Sequence, residues 1–216
     1  MNFYRLPFAV PYYAQIASPD LAEAIFVHGM DPTLDPRWAE SGALSPEEYA
    51  YWVERACGVA CLKMVIEAFD GPKRSLIEWA RMVSDRGGYI VRQNSDGTSH
   101  EIGWSHRALS EMAAEAGLIS SWKPASANTI LEDLLQNRLV IASLSYEAGD
   151  DRLPITKQGG HLMVVIGVDF DDEGPTAFYV NNPSGRRTNL QAGARLPIDR
   201  FSAAFSGRVI IFETPK

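Results

Sequence analysis

The chain has 216 residues, of which 46% are apolar and 22% charged, the composition of an ordinary globular domain. Its formal net charge is −7 and its 20 basic residues are scattered rather than clustered, so we expect no nucleic-acid partner. The longest apolar stretches, such as residues 162–168, are far shorter than the roughly 20 residues that cross a bilayer, so we expect no membrane span.

Helical patterns dominate the first part of the chain. Pro7 and Pro11 disfavour a helix, so residues 1–15 are predicted to be extended. Ser45, followed by Pro46 and two glutamates, is typical of a helix start. Helices are predicted over residues 20–28, 46–52, 57–68, 75–84, 105–116 and 128–137.

The helix that begins at Cys57 has a clear apolar period. Cys61, Met64 and Ala68 lie on one stripe of helical spacing, and the Asp-Gly-Pro sequence at 70–72 ends the helix. We therefore expect this helix to be central and buried. Because free cysteines are among the most buried residue types, we interpret Cys61 as an inert core residue.

The second part of the chain changes to strand patterns. Strands are predicted over residues 139–146, 161–170, 176–182 and 207–213, joined by turns rich in glycine, proline and aspartate. Helices first and strands second indicate an α+β fold, and the length fits a single domain over residues 1–216.

The second and third of these strands are predicted to form an antiparallel hairpin, because only residues 171–174 separate them. If Phe170 pairs with about Pro175, His161 at the start of one strand lies across from the residues just past Asn182 on the other. The sequence therefore places an imidazole beside an asparagine amide. Whether Asn181 or Asn182 faces the histidine stays open.

These residues suggest a thiol site. A helix N-terminus and a nearby imidazole both lower a thiol pKa, so Cys57 is a candidate nucleophile with His161 as its base. Gly58 is predicted to let a substrate or an oxyanion approach the backbone. The remaining histidines, His28, His100 and His106, are interpreted as surface residues.

Five blocks in order along the chain resemble the motifs of the bacteriocin-processing, double-glycine-leader type of cysteine peptidase, a family of the papain-like superfamily. These blocks are residues 10–15, 57–64, 160–169, 182–183 and 205–212. The resemblance implies a papain-like α+β fold, in which the nucleophile stands at the N-terminus of a central helix packed on an antiparallel sheet. Carried over by position, it makes Gln15 an oxyanion donor, Cys57 the nucleophile, His161 the base and Asn182 its orienting group. It also implies that the helical segment at about residues 18–54 is an insertion.

We therefore predict a cysteine peptidase that hydrolyses a peptide or isopeptide bond of a peptide or protein substrate through an acyl-enzyme on Cys57. Two alternatives stay open: a transglutaminase-like acyltransferase or deamidase, and a catalytically silent peptide-binding module. The acidic surface favours a basic or glycine-rich peptide. No cofactor or metal is expected, because neither the cysteine spacing nor the acidic turn at 169–174 matches a zinc or calcium site.

The predicted location is cytoplasmic. Two cysteines four residues apart do not form a disulfide framework, and the first residues lack the pattern of a secretory signal. If a signal peptide has been removed from this chain, secretion is expected instead.

Overall fold

The computed structural model describes residues 2–213, so Met1 and residues 214–216 of the predicted domain lie outside it. Within that range the chain forms seven α-helices, most of which begin where a side chain caps them. Ser45 accepts a hydrogen bond from the Glu48 N–H, and Ser75 and Glu78 cap one another's backbone reciprocally. The helices are α1 (Ala22–Phe26), α2 (Pro46–Val53), α3 (Cys57–Ala68), α4 (Leu76–Ser84), α5 (His106–Glu115), α6 (Ala127–Leu135) and α7 (Ile198–Ala204).

Nine strands are described in the same range, and they form one large and one small antiparallel sheet. The large sheet has the order β4-β9-β5-β6-β7-β8, with β1 paired to the later half of β6, and the small sheet is the hairpin β2-β3. The strands are β1 (Asn2–Arg5), β2 (Tyr89–Gln93), β3 (Ser99–Trp104), β4 (Ile119–Pro124), β5 (Leu139–Leu144), β6 (His161–Asp171), β7 (Gly174–Asn181), β8 (Ala194–Pro197) and β9 (Phe205–Glu213).

The predicted α+β class is confirmed, and its central elements are those predicted. Helix α3 lies on strand β6, and the Cys61 thiol donates a hydrogen bond to the Leu162 carbonyl oxygen at 3.3 Å. Both elements are mostly buried, because apolar side chains cover most of each, although Lys63 and Glu67 form a polar side of α3. The predicted papain-like arrangement, with a cysteine at the start of a helix packed on an antiparallel sheet, is therefore present.

The predicted hairpin is also confirmed, including its register. Phe170 pairs with Pro175, and Val164 pairs with Asn181 after two irregularities in the ladder. Strands β1, β2, β3, β4 and β8 and helix α7 were not predicted from the sequence. The hairpin β2-β3 is mostly exposed and carries charged residues on both strands, so it lacks the alternation that marks a half-buried strand.

The segment at residues 18–54 builds a small hydrophobic cluster of its own. Tyr49 and Val53 of α2 pack against Ile25 of α1, separately from the main core. The buried Asp35 carboxylate accepts hydrogen bonds from the hydroxyls of Tyr49 and Ser18, which ties the segment together. That this segment is an insertion in a single domain stays a prediction.

Candidate active site

Cys57 is the first residue of α3 and is only 9% exposed. The backbone N–H groups of Leu162 and Gly58 lie close enough to its sulfur to favour the thiolate. Since Leu162 directly follows His161, this contact brings the thiol to the start of strand β6. The structure therefore brings together two of the predicted site residues, Cys57 and His161.

Burial dominates the titration of both groups. It raises the pKa of the Cys57 thiol to about 11, against the smaller effect of the backbone amides. It also lowers the pKa of His161 to about 4, although the hydrogen bond to Asn182 acts in the opposite direction. The sequence led us to expect a lowered thiol pKa. In the free protein, the structure instead favours a neutral thiol beside a neutral imidazole.

The second nitrogen of His161 is held by Asn182. The distance from His161 Nε2 to Asn182 Oδ1 is 2.9 Å, and both side chains are buried. Because Asn182 Oδ1 also accepts from the Ser184 N–H at 3.1 Å, the amide oxygen is the atom that faces the imidazole. Nε2 therefore carries the hydrogen and donates a hydrogen bond to Asn182 Oδ1, which leaves the Nδ1 lone pair free to accept a proton.

Asn182 is itself held from several sides. Its backbone N–H donates to the Gln191 carbonyl at 2.9 Å, and its carbonyl accepts from the Tyr12 hydroxyl at 3.1 Å. Gly149 packs so closely on the amide nitrogen that a Cβ there would lie 2.1 Å from it. Asn181 makes different contacts, since its side chain bonds Pro11 and Gly193. Of the two asparagines, Asn182 is the one that contacts the histidine.

Ser184 is a site residue that the sequence did not suggest. Its hydroxyl oxygen lies 3.2 Å from His161 Nε2, so this N–H faces two oxygens, one from Asn182 and one from Ser184. Ser184 is 4% exposed, and Arg186 donates to its carbonyl at 2.5 Å. The turn after Asn182 brings Ser184 back to the imidazole, a contact that no sequence pattern marks.

Gln15 joins the segment that follows Asn182 to the end of helix α2, but it does not line the cavity that opens beside Cys57. Its backbone N–H donates to the Pro183 carbonyl at 2.9 Å, and its Nε2 donates to the Val53 carbonyl at 2.5 Å. Its Oε1 is buried and has no partner among residues 2–213. The predicted oxyanion role of Gln15 therefore stays a prediction, and it requires the amide to exchange its Val53 contact for the substrate.

Gly58 has a packing role that the sequence did not suggest, and its predicted role in substrate or oxyanion approach stays a prediction. A Cβ at this position would lie 2.5 Å from the ring of Trp104, so Gly58 allows the indole to pack on the helix. Trp104 donates its Nε1 proton to the Arg55 carbonyl at 2.5 Å and stacks on Trp52 with ring centroids 5.6 Å apart. The glycine thus positions an aromatic wall beside Cys57.

A cavity of about 340 Å³ opens beside Cys57 and His161. The hairpin β2-β3, the start of α5, and strands β4 and β9 form its walls. His106 lines this cavity, so our interpretation of it as a surface residue was wrong; it is half-buried, and burial together with the charge of Arg208 lowers its pKa. His106 and Arg208 are far apart in the chain, and only the fold places them in the same cavity.

No group of three or more histidine, cysteine or acidic side chains is arranged to hold a metal ion among the described residues. Both cysteines are free thiols. None of the helices in residues 2–213 is long and apolar enough to cross a membrane.

The sequence model of the Peptidase_C39 like family matches residues 9–202. This range includes Gln15, Cys57, His161 and Asn182. No curated protein matches the chain.

Several solved structures are similar to this chain. The peptidase domain of Streptococcus ComA, a bi-functional ABC transporter involved in a quorum sensing pathway, is 18% identical over 75% of this chain and 93% of that chain, with a TM-score of 0.49. A double glycine motif protease from an AMS/PCAT transporter, solved in complex with the leader peptide, is 18% identical over 74% of this chain and 84% of that chain, with a TM-score of 0.45. The peptidase domain of Streptococcus mutans ComA is 15% identical over 74% of this chain and 92% of that chain, with a TM-score of 0.41.

Proposed function

Because the chain belongs to the Peptidase_C39 like family, we propose that it hydrolyses a peptide bond through an acyl-enzyme on Cys57. The family match confirms the resemblance drawn from the sequence motifs and the predicted enzyme class, a cysteine peptidase. The observation that supports Cys57 and His161 as its reacting pair is the arrangement of the imidazole. Asn182 fixes the proton on Nε2, so that Nδ1 is the basic atom, and the thiol lies at the same end of strand β6.

The first step forms the acyl-enzyme. The Cys57 sulfur attacks the carbonyl carbon, its proton passes to His161 Nδ1, and the carbonyl oxygen becomes an oxyanion. The imidazolium then gives that proton to the leaving amine as the C–N bond breaks. Water attacks the thioester in the second step, with His161 again accepting and returning the proton, which releases the acid and restores the thiol.

Proton transfer accompanies the attack. Burial disfavours a thiolate or an imidazolium formed alone, but their mutual attraction offsets much of that cost when both form together. The charges therefore develop as the sulfur–carbon bond forms. Asn182 stabilises the imidazolium by accepting a hydrogen bond from its Nε2–H, and the oxygen of Ser184 lies next to the same N–H.

The oxyanion requires donors beside Cys57. The Cys57 N–H stands at the start of α3, where the first backbone N–H groups have no partner within the helix. The Gln15 amide is the second donor, provided that it exchanges its bond to the Val53 carbonyl for the oxyanion. A preorganised donor of this kind contributes roughly 3 to 4 kcal/mol to the transition state.

A silent peptide-binding module is the rival function, and the burial of Cys57 with its raised thiol pKa favours it. A peptide library incubated with the protein in H₂¹⁸O distinguishes the two by mass spectrometry. We expect new C-termini that carry ¹⁸O with the wild-type protein and none with Cys57→Ala. The control Cys61→Ala removes the second thiol one helical turn away, and we expect it to retain cleavage.

Other outcomes of the same experiment contradict the proposal. Equal numbers of new termini with the wild type and Cys57→Ala would show that the protein does not cleave through this thiol. Deamidated glutamine side chains, or incorporation of added methylamine without new C-termini, would indicate the deamidase or acyltransferase alternative.

A further inference from the structure

The cavity beside Cys57 is lined by one arginine that has no anionic partner among the described residues. Of the arginines that line it, Arg55 is bonded to Glu101 at 2.8 Å and Arg107 to Glu111 at 2.7 Å. Arg208 is exposed and makes no ion pair or side-chain hydrogen bond with any residue between 2 and 213. Its guanidinium is therefore available to an anion in the cavity.

A second polar group in the cavity also lacks a partner. Nε2 of His106 is buried and has no hydrogen-bond partner within the described chain. Arg208 lines the same cavity as His106, and burial together with the charge of Arg208 lowers the His106 pKa. The unsatisfied buried nitrogen is costly, and a carboxylate that accepts from its N–H form and from the Arg208 guanidinium would remove that cost.

The carboxylate that lines the cavity does not fill this role. Glu54 is exposed, and it pairs with neither Arg208 nor His106. Part of the remaining wall is apolar and open, since Trp122 is 53% exposed and Ile102 is 45% exposed. The cavity thus offers apolar surface for methylene groups and a cationic group for a charged end.

We infer that this cavity binds an acidic side chain of the substrate, glutamate or aspartate, with its carboxylate between Arg208 and His106. The inference rests on the proposed function, because it places this side chain near the bond that Cys57 attacks. It differs from the basic or glycine-rich peptide expected from the overall charge of −7, because the unpaired Arg208 places a positive charge in the cavity of an acidic protein. A local cation in an acidic surface selects acidic residues at one position rather than acidic peptides in general.

A synthetic hexapeptide set tests the inference. Each peptide has an alanine and glycine background and carries glutamate, glutamine or lysine at one position in turn. Two quantities are measured for every peptide: kcat/KM with the wild type, and Kd with Cys57→Ala from the fluorescence of Trp104 and Trp122. At one position we expect glutamate to raise kcat/KM and to lower Kd by about tenfold relative to glutamine, the effect of one charged hydrogen bond.

Variants assign this preference to Arg208. In Arg208→Gln we expect the ratio of kcat/KM between the glutamate and glutamine peptides to fall to about one. In Arg208→Glu we expect lysine to replace glutamate as the favoured residue. Lys73→Gln removes the same unit of charge from an exposed loop residue outside the cavity, and we expect it to leave the ratio unchanged.

Failure of the inference and failure of the proposed function give different results. Cleavage with equal rates for glutamate and glutamine at every position, or a preference that survives Arg208→Glu, would overturn the inference and leave the peptidase intact. Binding that depends on Arg208 without cleavage would support the cavity assignment and contradict the peptidase. No binding and no cleavage of any peptide would overturn both.

Discussion

Acid should destabilise this protein through His161, because the folded state binds a proton there less readily than the unfolded state. The pKa of His161 falls from its ordinary value of 6.5 to about 4 on folding, owing to burial. Between these two values the unfolded chain binds more protons than the folded one, so stability rises with pH. The contribution is fully present above pH 6.5 and is lost as the pH falls through about 4.

The shift sets the size of the effect. A difference of one pKa unit corresponds to about 1.4 kcal/mol, so acidification from pH 7.5 to pH 4 should remove about 3 kcal/mol of unfolding free energy through His161. Other groups titrate over the same range, including Glu147, whose pKa is lowered to about 2 by its hydrogen bonds to Thr156. A matched variant is therefore needed.

His161→Gln provides that comparison, because glutamine does not titrate and its amide still has a donor for Asn182. Urea unfolding at pH 7.5, 5.5 and 4 gives the free energy of each protein. We expect the wild type to lose about 3 kcal/mol more than His161→Gln over this range. A thiolate–imidazolium pair in the resting protein would raise the His161 pKa, and the wild type would then gain stability relative to the variant as the pH falls. That sign would refute the neutral resting state.

Substitutions at three further positions test individual contacts. Asn182→Ala should lower kcat/KM by roughly 100-fold because the imidazole loses its orientation, and a rate equal to that of the wild type would contradict the role of this amide. Asn182→Asp should stay active, and its carboxylate should raise the His161 pKa and so move the acid limb of the pH–rate profile to higher pH. Gln15→Ala should lower kcat by roughly 100-fold with little change in KM, because the oxyanion loses a donor. A change in thermal stability with no change in kcat would contradict this role and leave Gln15 only the structural role of its bond to the Val53 carbonyl. Gly58→Ala should cost about 1–3 kcal/mol in urea unfolding because its Cβ overlaps the ring that packs there, and unchanged stability would contradict that packing.

The elements that carry Cys57 and His161 were predictable because their signals are local. Helix α3 has an apolar stripe and a clear end at Asp70, and β6 and β7 are joined by a turn too short for any connection but a hairpin. The pairing of Phe170 with Pro175 followed from that turn. It also predicted the contact between the histidine and an asparagine.

The rest of the site depends on contacts between distant parts of the chain. His106 and Arg208 come from helix α5 and strand β9, and no pattern in either element indicates that they share a cavity. Gly58 leaves room for the ring of Trp104, which is far away in the sequence. The sequence led us to expect a lowered Cys57 pKa, but burial is the larger effect and raises it. Burial depends on the tertiary packing around Cys57, which no local pattern shows.

The central claim is that Cys57 is a nucleophile with His161 Nδ1 as its base, and a crystal structure after reaction with a tripeptide aldehyde tests it most directly. The account predicts a bond between the Cys57 sulfur and the aldehyde carbon, with the new oxygen about 3 Å from the Cys57 N–H. It also predicts that Nδ1 of His161 faces the sulfur while Nε2 still bonds Asn182. An adduct on Cys61, no adduct at Cys57, or a His161 ring turned away from the sulfur would contradict it.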